Sequence, residues 1–145
     1  MIVIASDHAG VELKASIVEL IGESGLEVRD LGPEDTASVD YPDFAHAVAG
    51  AVTAGDADRG ILICGTGIGM SLAANRHPQV RAALCHDAFT AEMARRHNDA
   101  NVLCVGSRST GPGVAEQMVR IFLETAFEGG RHQRRVDLIE IERRD

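Results

Sequence analysis

A three-layer α/β/α sandwich around a five-stranded, parallel, Rossmann-like sheet is the fold that this sequence predicts. Short apolar runs recur at Ile2–Ala5, Leu26–Asp30, Gly60–Cys64, Val80–Cys85 and Asn101–Val105. Amphipathic stretches with helical spacing separate them. The runs are too continuously apolar for half-exposed strands, which predicts a sheet covered on both faces.

The elements follow in order. Val11, Lys14, Ala15, Val18 and Ile21 mark a first helix, closed by Gly25 before the second strand. A polar connection runs from Gly32-Pro33 to Tyr41-Pro42. Phe44, Ala47, Val48, Ala51 and Val52 mark the next helix. Ala88, Ala91, Glu92 and Arg95 place another, ending at His97-Asn98. Gly111-Pro112 opens the last long helix, striped by Val114, Met118, Ile121, Phe122 and Thr125. Gly129-Gly130 then breaks the chain before a basic amphipathic tail. No repeat, low-complexity segment or linker divides the chain, so residues 1–145 read as one domain.

Composition narrows the function. A net charge of −8 opposes general nucleic-acid binding and adhesion to anionic membranes. Any positive charge that receives an anionic ligand must therefore be local. No stretch has the length of a membrane span, and Ile2–Ala5 is too short for a signal peptide, which points to the cytoplasm. Cys64, Cys85 and Cys104 are odd in number and far apart, as reduced thiols are. The six His show no HxxxH or HxH spacing, so neither a metal nor a cofactor is expected.

In open parallel sheets, ligands bind outside the carboxyl ends of the strands. That rule selects Ser6-Asp7-His8, Cys64-Gly65-Thr66-Gly67, His86-Asp87 and Gly106-Ser107-Arg108. The run Cys64-Gly65-Thr66-Gly67-Ile68-Gly69-Met70 joins a thiol to backbone amides able to converge on an anion. Cys64 is a base, a nucleophile or a small buried residue at a strand end; Cys85 and Cys104 fit the last description better. A cysteine phosphatase needs an arginine where Met70 stands. A P-loop needs Gly-Lys-Ser/Thr, and a dinucleotide site needs more glycines after the first strand than Gly10. Asp7 is a ligand group or a helix N-cap, and His97-Asn98 a site or a helix end. Arg131, His132, Arg134 and Arg135 are a solvated charge run or an anion clamp, with Arg131 and Arg135 on one helical face. Val136, Leu138, Ile139 and Ile141 follow as an apolar stripe suited to docking on another surface. Together these parts point to metal-free chemistry on a small phosphorylated metabolite.

The ordered motifs give a more specific answer. They are Ser6-Asp7-His8-Ala9-Gly10 with Leu13-Lys14, Asp40-Tyr41-Pro42, Gly60 through Gly69, Ala73-Ala74-Asn75, Arg96 through Asn101, Gly106-Ser107-Arg108, and Glu128 through His132. In this set the chain resembles the type B ribose-5-phosphate isomerases, in the family that also holds allose-6-phosphate and galactose-6-phosphate isomerases. The resemblance covers essentially the whole chain. It implies that His97, helped by Asp7, opens the sugar ring, and that Cys64 moves a proton between C2 and C1 through a cis-enediolate. Thr66 would assist proton exchange on the sugar oxygens. Amides of Gly65, Gly67, Ile68 and Gly69, with Asn98, would stabilise the enediolate. His8, Arg108, Arg131 and Arg135 would hold the phosphate, and Tyr41 would line the sugar pocket. It also implies a homodimer, or a tetramer, with an active site shared between subunits and a tail of about 131–143 docked on the partner.

The family uses either a cysteine at the position of Cys64 or a glutamate at that of Met70, and this chain falls in the cysteine branch. The expected substrates are ribose 5-phosphate and ribulose 5-phosphate. An allose, galactose or tetrulose phosphate is the alternative within the family, and a non-catalytic sugar-phosphate sensor the alternative outside it.

Overall fold

The computed structural model describes residues 1–141. Five parallel strands, β1 (Ile2–Ser6), β2 (Val28–Asp30), β3 (Arg59–Cys64), β4 (Ala82–Leu84) and β5 (Val102–Gly106), stand in the order β2-β1-β3-β5-β4. Six helices accompany them: α1 (Val11–Glu23), α2 (Tyr41–Ala54), α3 (Ile68–Ala74), α4 (Ala88–Arg96), α5 (Pro112–Glu124) and α6 (Arg131–Asp137). The alternation of side chains along the strands builds two cores. Ile2, Ile4, Ile61, Ile63, Leu103 and Val105 meet α1, α4 and α5 on one face. Val3, Ala5, Leu62, Cys64, Val102 and Cys104 meet α2 and α3 on the other. The sandwich has the predicted three layers.

Three details differ from expectation. β2 and β4 are short edge strands with partly exposed side chains, so cover on both faces holds only for the three central strands. The buried face of α1 is Lys14, Ile17, Leu20 and Ile21; Ala15 is exposed, as is Ala47 of α2. The predicted stripes lie to one side of these faces because Ala reads as apolar wherever it falls. Lys14 is buried yet ion-paired with Asp30, which makes a charge on the core side of α1 tolerable. The last helix ends at Asp137, with a turn after it, and not at the predicted 143, which lies outside the described residues. Val136 turns into the core, whereas Leu138, Ile139 and Ile141 are exposed.

Candidate active site in two halves

One group of predicted residues gathers at the carboxyl edge of the sheet. Register fixes it: Ser6 pairs with Ile63, and Cys64 with Gly106. The strand ends are then sewn together by Asp7 N–H to Ile63 O (2.9 Å), Ser107 N–H to Cys64 O (2.8 Å) and Arg108 N–H to Gly65 O (2.9 Å). Cys64 is 5% exposed, and its Sγ accepts the Gly67 N–H at 3.1 Å. Gly67 begins α3 in the left-handed conformation (φ 77°). A Cβ there would stand 2.6 Å from Leu84 Cδ1 and 3.0 Å from the Val105 carbonyl carbon, so only glycine fits. A Cβ on Gly106 would stand 2.7 Å from the Thr66 carbonyl carbon, so β5 also presses on the loop. Thr66 Oγ1 accepts the Ile68 N–H at 3.3 Å. Met70, which stands where a cysteine phosphatase has its arginine, is fully buried.

The flanking groups converge on this edge. Asp7 Oδ1 accepts the Ala9 N–H at 2.9 Å, capping the short 3-10 turn His8–Gly10; the capping reading is therefore correct for this oxygen. His8 Nδ1 accepts the Val39 N–H at 3.2 Å, a bond that places the imidazole proton on Nε2 as a donor. The Tyr41 ring lies on Gly69, where a Cβ would stand 2.5 Å from Cζ. The Arg108 side chain lies against Gly65. Asp87, at the end of β4, is spent on capping α4 through the Thr90 N–H (2.7 Å), which removes it from the candidates.

The second group stands elsewhere. His97 ends α4, with exposed Asn98 after it. Asp99 has positive φ (46°) and is held by Arg95, whose Nη1 also donates to Ala100 O (2.6 Å). Glu128 N–H donates to Arg96 O (3.1 Å), bringing α6 onto this helix end. His97 and His132 stack with centroids 4.3 Å apart and planes at 13°. Glu128 Oε2 lies 3.5 Å from His132 Nε2. Arg131 and Arg135 are exposed on α6.

This group is at the amino edge of the sheet. α4 descends from β4 and must finish before β5 begins at Val102, while Cys64 faces the end of β5 at Gly106. At about 3.3 Å per residue the two edges are roughly 15 Å apart along the strand. One chain therefore brings Asp7, His8, Tyr41, Cys64, Thr66, the glycine loop and Arg108 together. It brings His97, Asn98, Arg131 and Arg135 together separately.

The sequence model of the Ribose/Galactose Isomerase family matches residues 2–139. The chain belongs to this family. It is 47% identical over 133 residues to ribose-5-phosphate isomerase B of Escherichia coli, covering 92% of this chain and 89% of that one. Ribose-5-phosphate isomerase B of Clostridium thermocellum superposes with a TM-score of 0.94 at 49% identity, over 95% of this chain and 93% of that one. The Mycoplasma genitalium enzyme, solved with bound ribulose-5-phosphate, gives a TM-score of 0.92 at 50% identity, covering 95% and 92%.

Within this isomerase fold the other two thiols are packing residues. Burial pushes Cys85 up to about 11 and Cys104 higher still, so neither ionises near neutrality. His132 and Glu128 are the neighbours of His97 that spacing did not reveal. The motif Glu128 through His132 marks the segment, but nothing in the sequence says that it folds back on α4. No helix among the described residues is long and apolar enough to cross a membrane.

Proposed function

We propose that the protein is a cytoplasmic aldose–ketose isomerase of the pentose phosphate pathway that interconverts ribose 5-phosphate and ribulose 5-phosphate. Its working form is a homodimer in which the carboxyl-edge half of one subunit meets the amino-edge half of the other. The observation that carries this reading is the division of the machinery. The half-site with the base lacks the ring-opening histidine and the clamp arginines, and the other half lacks the base. Exposed apolar side chains lie beside each half. Ile68 and Leu72 are one turn apart on α3, and Leu138 and Ile139 follow α6. A subunit docked through them would complete both sites. The same contact would seat the tail, of which residues through Ile141 are described. A tetramer would be built from such dimers.

Each group then has work suited to its position. His97 at the joined site exchanges a proton with the ring oxygen, with Asp7 aiding, to give the open-chain sugar. The thiolate of Cys64 takes the C2 proton and returns it to C1. Electrons from the broken C–H bond pass into the enediolate, whose oxygens face amides of Gly65, Gly67, Ile68 and Gly69 and the Asn98 side chain. Such preorganised donors are worth about 3–4 kcal/mol each when strong, enough to bring an α-proton within reach of a modest base. Thr66 moves the proton between O1 and O2. The His8 Nε2–H, Arg108, Arg131 and Arg135 receive the phosphate, and Tyr41 walls the sugar.

Purified protein is expected to convert ribose 5-phosphate to ribulose 5-phosphate, followed by NMR, without added metal or cofactor. Allose, galactose and tetrulose phosphates provide the comparison. Strong turnover of one of these beside negligible turnover of ribose 5-phosphate would reassign the substrate. Binding without any isomerisation would make the protein a sensor.

A further inference from the structure

His97, Glu128 and His132 offer two imidazole nitrogens and one carboxylate oxygen, all within 4.8 Å of one another. We propose that these three side chains form an inhibitory site for a borderline transition-metal cation of the zinc class, occupied in place of substrate. Tetrahedral zinc at about 2.0–2.2 Å from N and O ligands sets them roughly 3.3 Å apart. His132 Nε2 and Glu128 Oε2 stand 3.5 Å apart, so this pair already has the separation of two ligands on one metal. The remaining change is a swing of His97, a half-exposed group at a helix end. Two neutral imidazoles and a carboxylate form a set that zinc accepts, with a fourth position left for water.

Arg131 and Arg135 stand on the same helix as His132. The same arginines oppose a cation, and Arg96 Nη1 lies 3.7 Å from Glu128 Oε1. Binding is thus weaker than at a structural zinc site and reversible by a chelator. Occupancy removes the lone pair of His97 from ring opening, so metal and sugar exclude one another. The inhibition, though not the binding, rests on the isomerase reading.

Calorimetric titration of the intact protein with zinc chloride is the test, with no sugar present. Wild type is expected to bind one zinc per chain at this site and to gain thermal stability. Glu128→Gln and His132→Gln are each expected to weaken binding by at least about tenfold. Cys64→Ser is expected to keep it, which separates this site from capture by the thiol. Arg96→Gln, which frees Glu128, is expected to tighten it. Equal zinc affinity in wild type, Glu128→Gln and His132→Gln, or loss of binding in Cys64→Ser alone, overturns the proposal. In turnover assays on ribose 5-phosphate, zinc is expected to compete with sugar in wild type, reversed by EDTA. A protein that binds zinc at these residues yet isomerises no sugar would sink the function and leave the metal site standing.

Discussion

The two halves of the candidate site are held by different means. The Cys64 half is written into the sheet. Three central strands end together, their backbones are cross-linked, and glycines at 67 and 106 let the loop lie flush on β5 and β4. The His97 half is assembled from ends: the last turn of α4, a left-handed residue at Asp99, and a segment hung on it through Glu128 and a ring stack. A sheet edge fixes atoms through a ladder of backbone bonds, whereas helix ends rely on side chains such as Arg95. The lesson is one of division of labour. In the proposed mechanism proton transfer at carbon, which tolerates little misplacement, sits on the half written into the sheet. In that mechanism the ring-opening His97 and two of the four phosphate-binding groups, Arg131 and Arg135, sit on the half built from helix ends.

The largest effect comes from removing the key group of each half in turn. Cys64→Ala is expected to lower kcat by roughly 100- to 10,000-fold with sugar-phosphate binding largely kept, read by turnover and calorimetry. His97→Asn is expected to impair ribose 5-phosphate while sparing an acyclic substrate, because only ring opening is lost. If the halves belong to different subunits, mixing and refolding the two dead variants restores activity. Random pairing makes half the dimers mixed, each with one intact site, so about a quarter of wild-type activity returns. No recovery beyond the sum of the two variants would place both halves in one chain's site.

Next in size are the clamp arginines. Arg131→Ala and Arg135→Ala are each expected to raise KM by roughly tenfold or more, with a smaller change in kcat, since in the proposed site each gives a charged hydrogen bond to phosphate. On the rigid half, Gly106→Ala forces a Cβ against the Thr66 backbone. A cost of about 1–3 kcal/mol is expected, seen as a lower Tm together with a lower kcat. A fall in Tm with unchanged kcat would show that the loop absorbs the push and is not held rigidly by β5.

The smallest effect is one of pH. Burial, then His97 and Arg131, hold His132 below the usual histidine range. A depressed folded pKa means that the unfolded chain binds the proton first as pH falls. Stability from this group is therefore complete above about 6.5, the unfolded value, and is lost as pH drops through the folded value. His132→Gln is expected to flatten the fall in Tm between neutral and mildly acidic pH. An unchanged slope would mean that a proton on His132 is accepted without strain.

The sandwich was legible because the central strands are apolar on both faces and the glycine breaks stand between elements. Edge exposure at β2 and β4 was not, because Val28 and Leu84 look like core residues until their neighbours are known. Within the site, Cys64 and its loop were legible from local sequence, since one turn of chain carries them. That Asp87 caps α4 was hidden, because a strand-end aspartate reads equally as a ligand. The stacking of His132 on His97 was hidden for a different reason: it joins two chain ends that meet only after α5 has crossed the sheet.

The packing of Gly67 on Leu84 has a consequence for how this protein can change. Leu84 lies on an edge strand, outside any motif, where exchange of one aliphatic residue for another would pass as filler. Yet its methyl group fills the space that a Cβ on Gly67 would need, beside the amide that donates to Cys64. Trimming Leu84 to Val opens space beside Gly67, and enlarging it narrows that space. The setting of that amide beside the sulfur is thus open to change from the rim, in small steps, without touching any residue of the proposed sugar site.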